Sequence, residues 1–116
     1  MGEKTSIGLE ENIAGLLCYL LGLITGIVFY VIEKDNKFVR FHAVQSILVF
    51  GAILVISWVV IPIVAFIPIL GAMVGVLLSL VVSLGSLVLW ILLMYKAYSG
   101  EKYKVPVVGD LAEKYV

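Results

Sequence analysis

The stretch FVRFHAVQSI places Arg40, His42, Gln45 and Ser46 within seven positions. His42, Gln45 and Ser46 fall at i, i+3 and i+4, a spacing that puts all three on one face of a helix. An imidazole, an amide and a hydroxyl on one face can bind a polar ligand, and the imidazole can titrate near neutral pH. Catalysis asks for more. The chain has 1 histidine and 1 cysteine, and Cys18 has no cationic neighbour in sequence to lower its pKa. No catalytic residues, metal ligands or cofactor-binding residues are therefore assigned, and no cofactor is expected. The chain is read as a non-enzyme.

What must position this face is a chain suited to lipid. Hydrophobic residues make up 63% of the sequence and charged residues 14%, well below the roughly 25% charged residues of a soluble domain. Charges are absent between Glu11 and Glu33 and between Arg40 and Lys96, taking His42 as neutral. A helix of about 20 residues crosses the roughly 30 Å hydrocarbon core, so the first gap reads as one span over about 12–32. The second gap is too long for one crossing and must double back near Pro62, Pro68 and Gly71, since proline removes a backbone donor and clashes with the preceding turn. Spans two and three are placed at about 43–61 and 73–95. The expected fold is all-α: a polytopic integral membrane protein forming a single domain over residues 1–116, with three transmembrane helices and a short C-terminal surface helix. Asp110 and Glu113 look like a capping-box start for that last helix.

Lysine and arginine sort by side in this arrangement. Lys34, Lys37 and Arg40 precede span two, and Lys96, Lys102, Lys104 and Lys114 follow span three, against Lys4 near the start. The positive-inside bias then predicts a multi-pass cell-membrane protein with its N-terminus outside and its C-terminus cytoplasmic. The first residues lack the basic n-region of a cleaved signal peptide. They match the short M-G-x-x-x-[ST] acylation pattern at Gly2 and Ser6. No basic, aromatic-interleaved surface suggests a nucleic-acid partner. The lipid bilayer is the expected partner, with a second copy or another membrane protein beside it.

Small residues supply the second motif. Gly15, Cys18, Gly22, Thr25 and Gly26 form a stripe at helical spacing that includes a GxxxG pair, and Gly71, Gly75, Ser79 and Ser83 form another. Such faces let helices approach closely in lipid, where the hydrophobic effect does not drive them together. Packing of spans one and three is one reading. An oligomer interface or a serine-lined path through Ser79, Ser83 and Ser86 is the other. For Arg40, His42, Gln45 and Ser46 two readings also stand: polar groups bonded to the first span's end and the tail, or a polar vestibule at the cytoplasmic mouth.

The arrangement GLLCYLLGLITGIVFYVIEKDNKFVRFHAVQSI, followed by YKAYSGEKYKVPVVGDLAEKY, resembles a family of small prokaryotic membrane proteins grouped with the Tic-twenty component of the chloroplast import machinery. Phe38, Phe41, His42, Gln45, Ser46, Pro106, Gly109 and Asp110 carry the resemblance. The likeness implies a pore or an accessory subunit for a polypeptide or small solute, although the plastid component has four spans against the three read here. Function is otherwise expected to be that of a structural or accessory membrane subunit acting through helix packing, with an oligomeric channel or translocation component as the alternative.

Overall fold

The computed structural model describes residues 5–116, so Gly2 of the acylation pattern and the charge on Lys4 lie outside the described residues. Among these residues six α-helices follow one another: α1 Glu11–Leu20, α2 Leu23–Ile32, α3 Lys37–Val55, α4 Ile61–Ala65, α5 Gly71–Tyr98 and α6 Val108–Glu113, with a π-helical turn at Ile56–Val60 joining α3 to α4. Among the described residues two helices are long and apolar enough to cross a membrane, the continuous rod Lys37–Ala65 and α5. This corrects the expected three.

The missing span is the segment 12–32, which is broken in the middle. Gly22 sits at φ 61°, ψ −123°, a conformation open to glycine and strained for any residue with a Cβ. The chain reverses there, so α1 and α2 form a hairpin. The Ser6 amide donates to Glu33 Oε1 at 2.8 Å, which places the start of the hairpin beside its end. Each ten-residue arm is about 15 Å long, half the depth of a hydrocarbon core. Ser46 Oγ donates to the Gly22 carbonyl at 2.9 Å, and position 46 lies roughly 14 Å along the rod from Lys37. The hairpin therefore ends near mid-depth.

The expected separation of the termini to opposite faces changes with it. Asn12 Nδ2 donates to the Tyr98 carbonyl at 3.1 Å, so the start of α1, the 33–36 loop and the end of α5 share one end of a molecule measuring 55 × 22 × 21 Å. At this polar end α1 and α2 pack against α3 and α5. One core joins Ala14, Cys18, Phe29, Val39 and Ala43. A second joins Tyr19, Val49, Leu93 and Ala97. At the far end lie α4, the start of α5 and the turn that joins them, and apolar side chains face outward there, Phe66 and Ile69 of the turn being 88% and 96% exposed.

Both rods run past the bounds read from the sequence. Pro62 was expected to end span two at Ile61, yet the helix continues to Ala65. Proline cannot donate to the carbonyl four residues back, and the π turn before it shifts the ladder, the Ile61 amide donating to Ile56. The turn between the rods contains Ile69 at φ 73°. Leu70 N–H donates to the Pro68 carbonyl at 2.9 Å, closing a three-residue turn of the strained hand.

The short helix α6 has no side-chain cap; its N-cap is Val107 at φ 68°. Asp110 and Glu113 do not form the expected capping box. Lys104 lies 3.8 Å from Asp110 and 2.7 Å from Glu113, and Lys102 lies 3.3 Å from Glu113. The ion pair with Glu113 is the leading influence that raises the Lys104 pKa above its ordinary value. Ala112 of α6 is buried against Phe41 and Val44, which fixes the tail across the outer end of α3.

Candidate functional site

The helix α3 starts where Asn36 accepts a hydrogen bond from the Val39 amide at 3.1 Å, an N-cap that satisfies one of the first free donors. From there Phe41 through Ser46 are buried without interruption. His42, Gln45 and Ser46 are each 0% exposed, so the face read from their spacing is enclosed by the hairpin on one side and the tail on the other.

The bonds within it fix the proton positions. Val105 N–H donates to Gln45 Oε1 at 2.9 Å, which orients the amide. Gln45 Nε2 then donates to Tyr19 Oη at 2.9 Å and to the Tyr103 carbonyl at 2.9 Å. Tyr19 Oη, already accepting, gives its proton to His42 Nδ1 at 2.7 Å. The imidazole carries its own proton on Nε2 and donates it to the Glu101 carbonyl at 3.1 Å. The outcome is a neutral histidine with both ring nitrogens occupied. Tyr19, Phe38 and Phe41 surround the ring edge-on, with centroids 5.4, 4.6 and 5.3 Å away.

Arg40 does a different job from its neighbours. Its Nη1 donates to the carbonyls of Tyr30 at 3.1 Å and Glu33 at 2.8 Å, the free acceptors at the end of α2, and its guanidinium lies 4.2 Å from the centroid of the Tyr30 ring. Glu33 is itself 0% exposed. Burial alone would raise its pKa, but hydrogen bonds from Asn36, Ser6 and Asp35 outweigh it and hold the carboxyl below its usual value. Ser6 donates to Glu33 through both its amide and its hydroxyl, each at 2.8 Å.

A hairpin that turns inside a membrane exposes backbone groups where water is absent, and each needs a partner. Three side chains supply them. Ser46 bonds the Gly22 carbonyl, Thr25 Oγ1 donates to Cys18 O at 3.1 Å while accepting from the Leu21 amide at 3.2 Å, and Trp90 Nε1 donates to Tyr19 O at 2.7 Å. Tyr19, Thr25, Glu33 and Trp90 were not singled out for this work by the sequence reading. The available signal was Tyr19, a polar group in the middle of an apolar run.

The glycines also divide. A Cβ on Gly15 would lie 3.0 Å from Phe38, and one on Gly26 would lie 3.1 Å from the Ala43 carbonyl and from Ser46; both are close-approach points. Gly22 is the turn and not part of a GxxxG face. Gly75 approaches Ala65, with 3.0 Å left for a Cβ. Ser79 and Ser83 are exposed and line a groove between α4 and α5, while Ser83 and Ser86 line another with Phe50 and Trp90. Neither groove includes His42, Gln45 or Ser46.

Curated relatives agree with a membrane setting. The chain is 58% identical to a UPF0132 membrane protein of Methanocaldococcus jannaschii, over 97% of this chain and 94% of that protein. It is 44% identical to a second UPF0132 membrane protein of that organism, over 95% of this chain and 73% of the relative. A UPF0132 membrane protein of Archaeoglobus fulgidus is 46% identical over 93% of this chain and 97% of its own length. None of these matches carries the chloroplast-import grouping, and no solved structure matches the chain. With residues 6–112 matched by its family model and these relatives along nearly its whole length, the chain belongs to the magnetosome magnetite crystal formation protein family, which here takes in the UPF0132 membrane proteins.

Proposed function

We propose that this chain is a non-enzymatic structural membrane protein that loads one leaflet of the bilayer more heavily than the other. The observation that carries the proposal is the half-depth hairpin. Across one half of the membrane the molecule presents α1, α2, α3 and α5, and across the other it presents α5 with the end of the first rod. A body wider at one depth favours membranes whose wider-loaded leaflet is convex. The satisfied network around His42 supports a structural reading, since its polar atoms are committed to holding the hairpin and the tail.

The positive-inside rule places the broad end in the cytoplasm, because Lys34, Lys37, Arg40, Lys96, Lys102, Lys104 and Lys114 gather there. Among the described residues no group of three or more His, Cys, Asp and Glu side chains is placed to hold a metal ion. The proposal therefore draws on the chain's membrane geometry and not on the mineral in the family description.

The test is sorting by curvature. Fluorescent protein reconstituted with its broad end on the outer face of giant vesicles should be enriched on narrow tubes pulled from them, relative to the flat membrane. Equal density on tube and vesicle overturns the reading.

A further inference from the structure

At the polar end, Tyr30, Val31, Lys34, Arg40 and Val116 enclose an open cavity of about 430 Å³. Beyond Tyr30 a second cavity, about 270 Å³, is lined by Tyr30, Val44, Ile47, Leu48 and Tyr115. The two share the Tyr30 ring as a wall, and Tyr30 Oη donates to the Tyr115 carbonyl at 3.0 Å, so that wall is tied to the tail. One chamber is cationic and the other, apart from its two tyrosines, aliphatic.

Their cations are free to act. Arg40 uses Nη1 on two carbonyls, which leaves Nε and Nη2 without a protein acceptor among the described residues, and a guanidinium has five N–H donors in a planar fork suited to phosphate. Lys34 is exposed. Among the described residues no carboxylate lies within 4.0 Å of either side chain. Lys96, Lys102 and Lys104, in contrast, are each paired with an acid. Of the four cations without an acid partner among the described residues, Lys34, Lys37, Arg40 and Lys114, two, Lys34 and Arg40, line the cavity that opens beside an apolar groove. That cavity lies where α2 ends and α3 begins, at the boundary between the charged loop and the apolar rods.

We propose that this pair of cavities is a binding site for an anionic phospholipid. Its phosphate lies between Lys34 and the free nitrogens of Arg40, and one chain runs over Tyr30 into the groove of Val44, Ile47 and Leu48. Basic pockets at the membrane boundary bind lipid headgroups through this chemistry. The apolar groove separates a lipid from free phosphate, which has nothing to place there. The proposal requires the membrane setting but not the leaflet asymmetry.

Lipid binding to the full chain in detergent is read as the rise in melting midpoint on titration with phosphatidylglycerol, phosphatidylcholine or inorganic phosphate. Phosphatidylglycerol should stabilise most strongly and inorganic phosphate not at all. Lys34→Gln, which touches no structural bond, should weaken the phosphatidylglycerol affinity roughly five-fold, the value of one basic residue near an anionic surface, with an unchanged lipid-free midpoint. Ile47→Trp should weaken it by filling the groove. Arg40→Gln also frees the Tyr30 and Glu33 carbonyls, so it serves only as a supporting variant. Equal stabilisation by the two lipids, or an unchanged affinity in Lys34→Gln, overturns the site. Stabilisation by inorganic phosphate to the same extent as by phosphatidylglycerol overturns the lipid assignment. Curvature sorting that persists in Lys34→Gln while phosphatidylglycerol affinity falls keeps the two proposals distinct.

Discussion

Ser6 and Glu33, 27 positions apart, meet through two hydrogen bonds of 2.8 Å. Had the segment between them crossed the membrane once, its two ends would lie a full bilayer apart. Their contact makes a measurable claim about topology. Single cysteines introduced at Ser6 and Lys114 in a Cys18→Ser background should both react with an impermeant maleimide added to one face of sealed vesicles, and neither should react from the other face. Labelling from opposite faces would restore the three-span arrangement.

Gly22 and Gly51 should respond oppositely to alanine. At Gly22 a Cβ meets both the positive φ and the Phe50 ring at 3.3 Å, so Gly22→Ala should lower stability by about 1–3 kcal/mol. At Gly51, inside α3, nothing lies within 4 Å of the added atom, and Gly51→Ala should be neutral or gain up to about 1 kcal/mol from helix propensity. Denaturant midpoints in detergent measure both. Equal effects would mean that the turn does not depend on glycine.

Removing His42 or Gln45 strands the same phenol from two directions. His42→Ala leaves the Tyr19 hydroxyl proton without its acceptor and the Glu101 carbonyl without its donor, and Gln45→Ala frees the Val105 amide and the Tyr103 carbonyl and removes the donor to Tyr19 Oη. Each should cost about 1–3 kcal/mol. Because both act through Tyr19, the double variant should lose less than the two single losses added together. Strict additivity in a double-mutant cycle would show that the bonds do not form one network.

Acid should loosen the molecule at Glu33. Its folded-state pKa lies below the ordinary 4.5, so the stability it contributes is complete above that value and is lost as pH falls through the folded pKa. Glu113, also lowered, chiefly by its hydrogen bond with Lys104, acts in the same direction. Melting midpoints should stay level from neutral pH to about 5 and then fall. Glu33→Gln should melt lower at neutral pH, since its amide faces the donors of Asp35 and Asn36, and should show a shallower acid decline. An unaltered acid profile in that variant would remove Glu33 from the account.

Val107 offers a gain. Its φ of 68° costs a β-branched residue roughly 1–2 kcal/mol, and it is 80% exposed, so little packing is lost on truncation. Val107→Gly should stabilise by up to about 1 kcal/mol once the greater freedom of unfolded glycine is subtracted. Gly109→Ala, two residues on, should destabilise instead, because its Cβ would collide with Lys104. A lower midpoint for Val107→Gly would count against strain at this turn.

Charge spacing revealed the two rods because composition alone sets where lipid is favoured; residues 43–61 and 73–95 fall inside the helices found. It could not reveal the hairpin. The segment 12–32 has the length and hydropathy of a span, and the backbone angle of Gly22 that divides it is invisible in a string where glycine also serves close packing. The shared face of His42, Gln45 and Ser46 was legible from spacing. One of the two readings looked to the first span's end and the tail for its partners, but the individual groups were not legible, since three of them are backbone groups of residues 101–105, and a carbonyl or an amide has no signature in sequence. Pro62 misled for a related reason: the π turn that accommodates it depends on how Ile56–Val60 settle, not on any one residue type.

The reach of those tail bonds has a consequence in time. His42 and Gln45 take partners 59, 58 and 60 positions further along the chain. At about 5–20 residues per second of synthesis, those partners are made roughly 3–12 s after the residues that need them. During that interval the nascent chain has its hairpin and is still making α5, and it lacks the acceptors at Glu101 and Tyr103 and the donor at Val105. The polar face must be served by water or by the insertion machinery until residues 101–105 leave the ribosome and displace it. The enclosure of His42 thus waits on the arrival of residues 101–105, well after its own helix has been made.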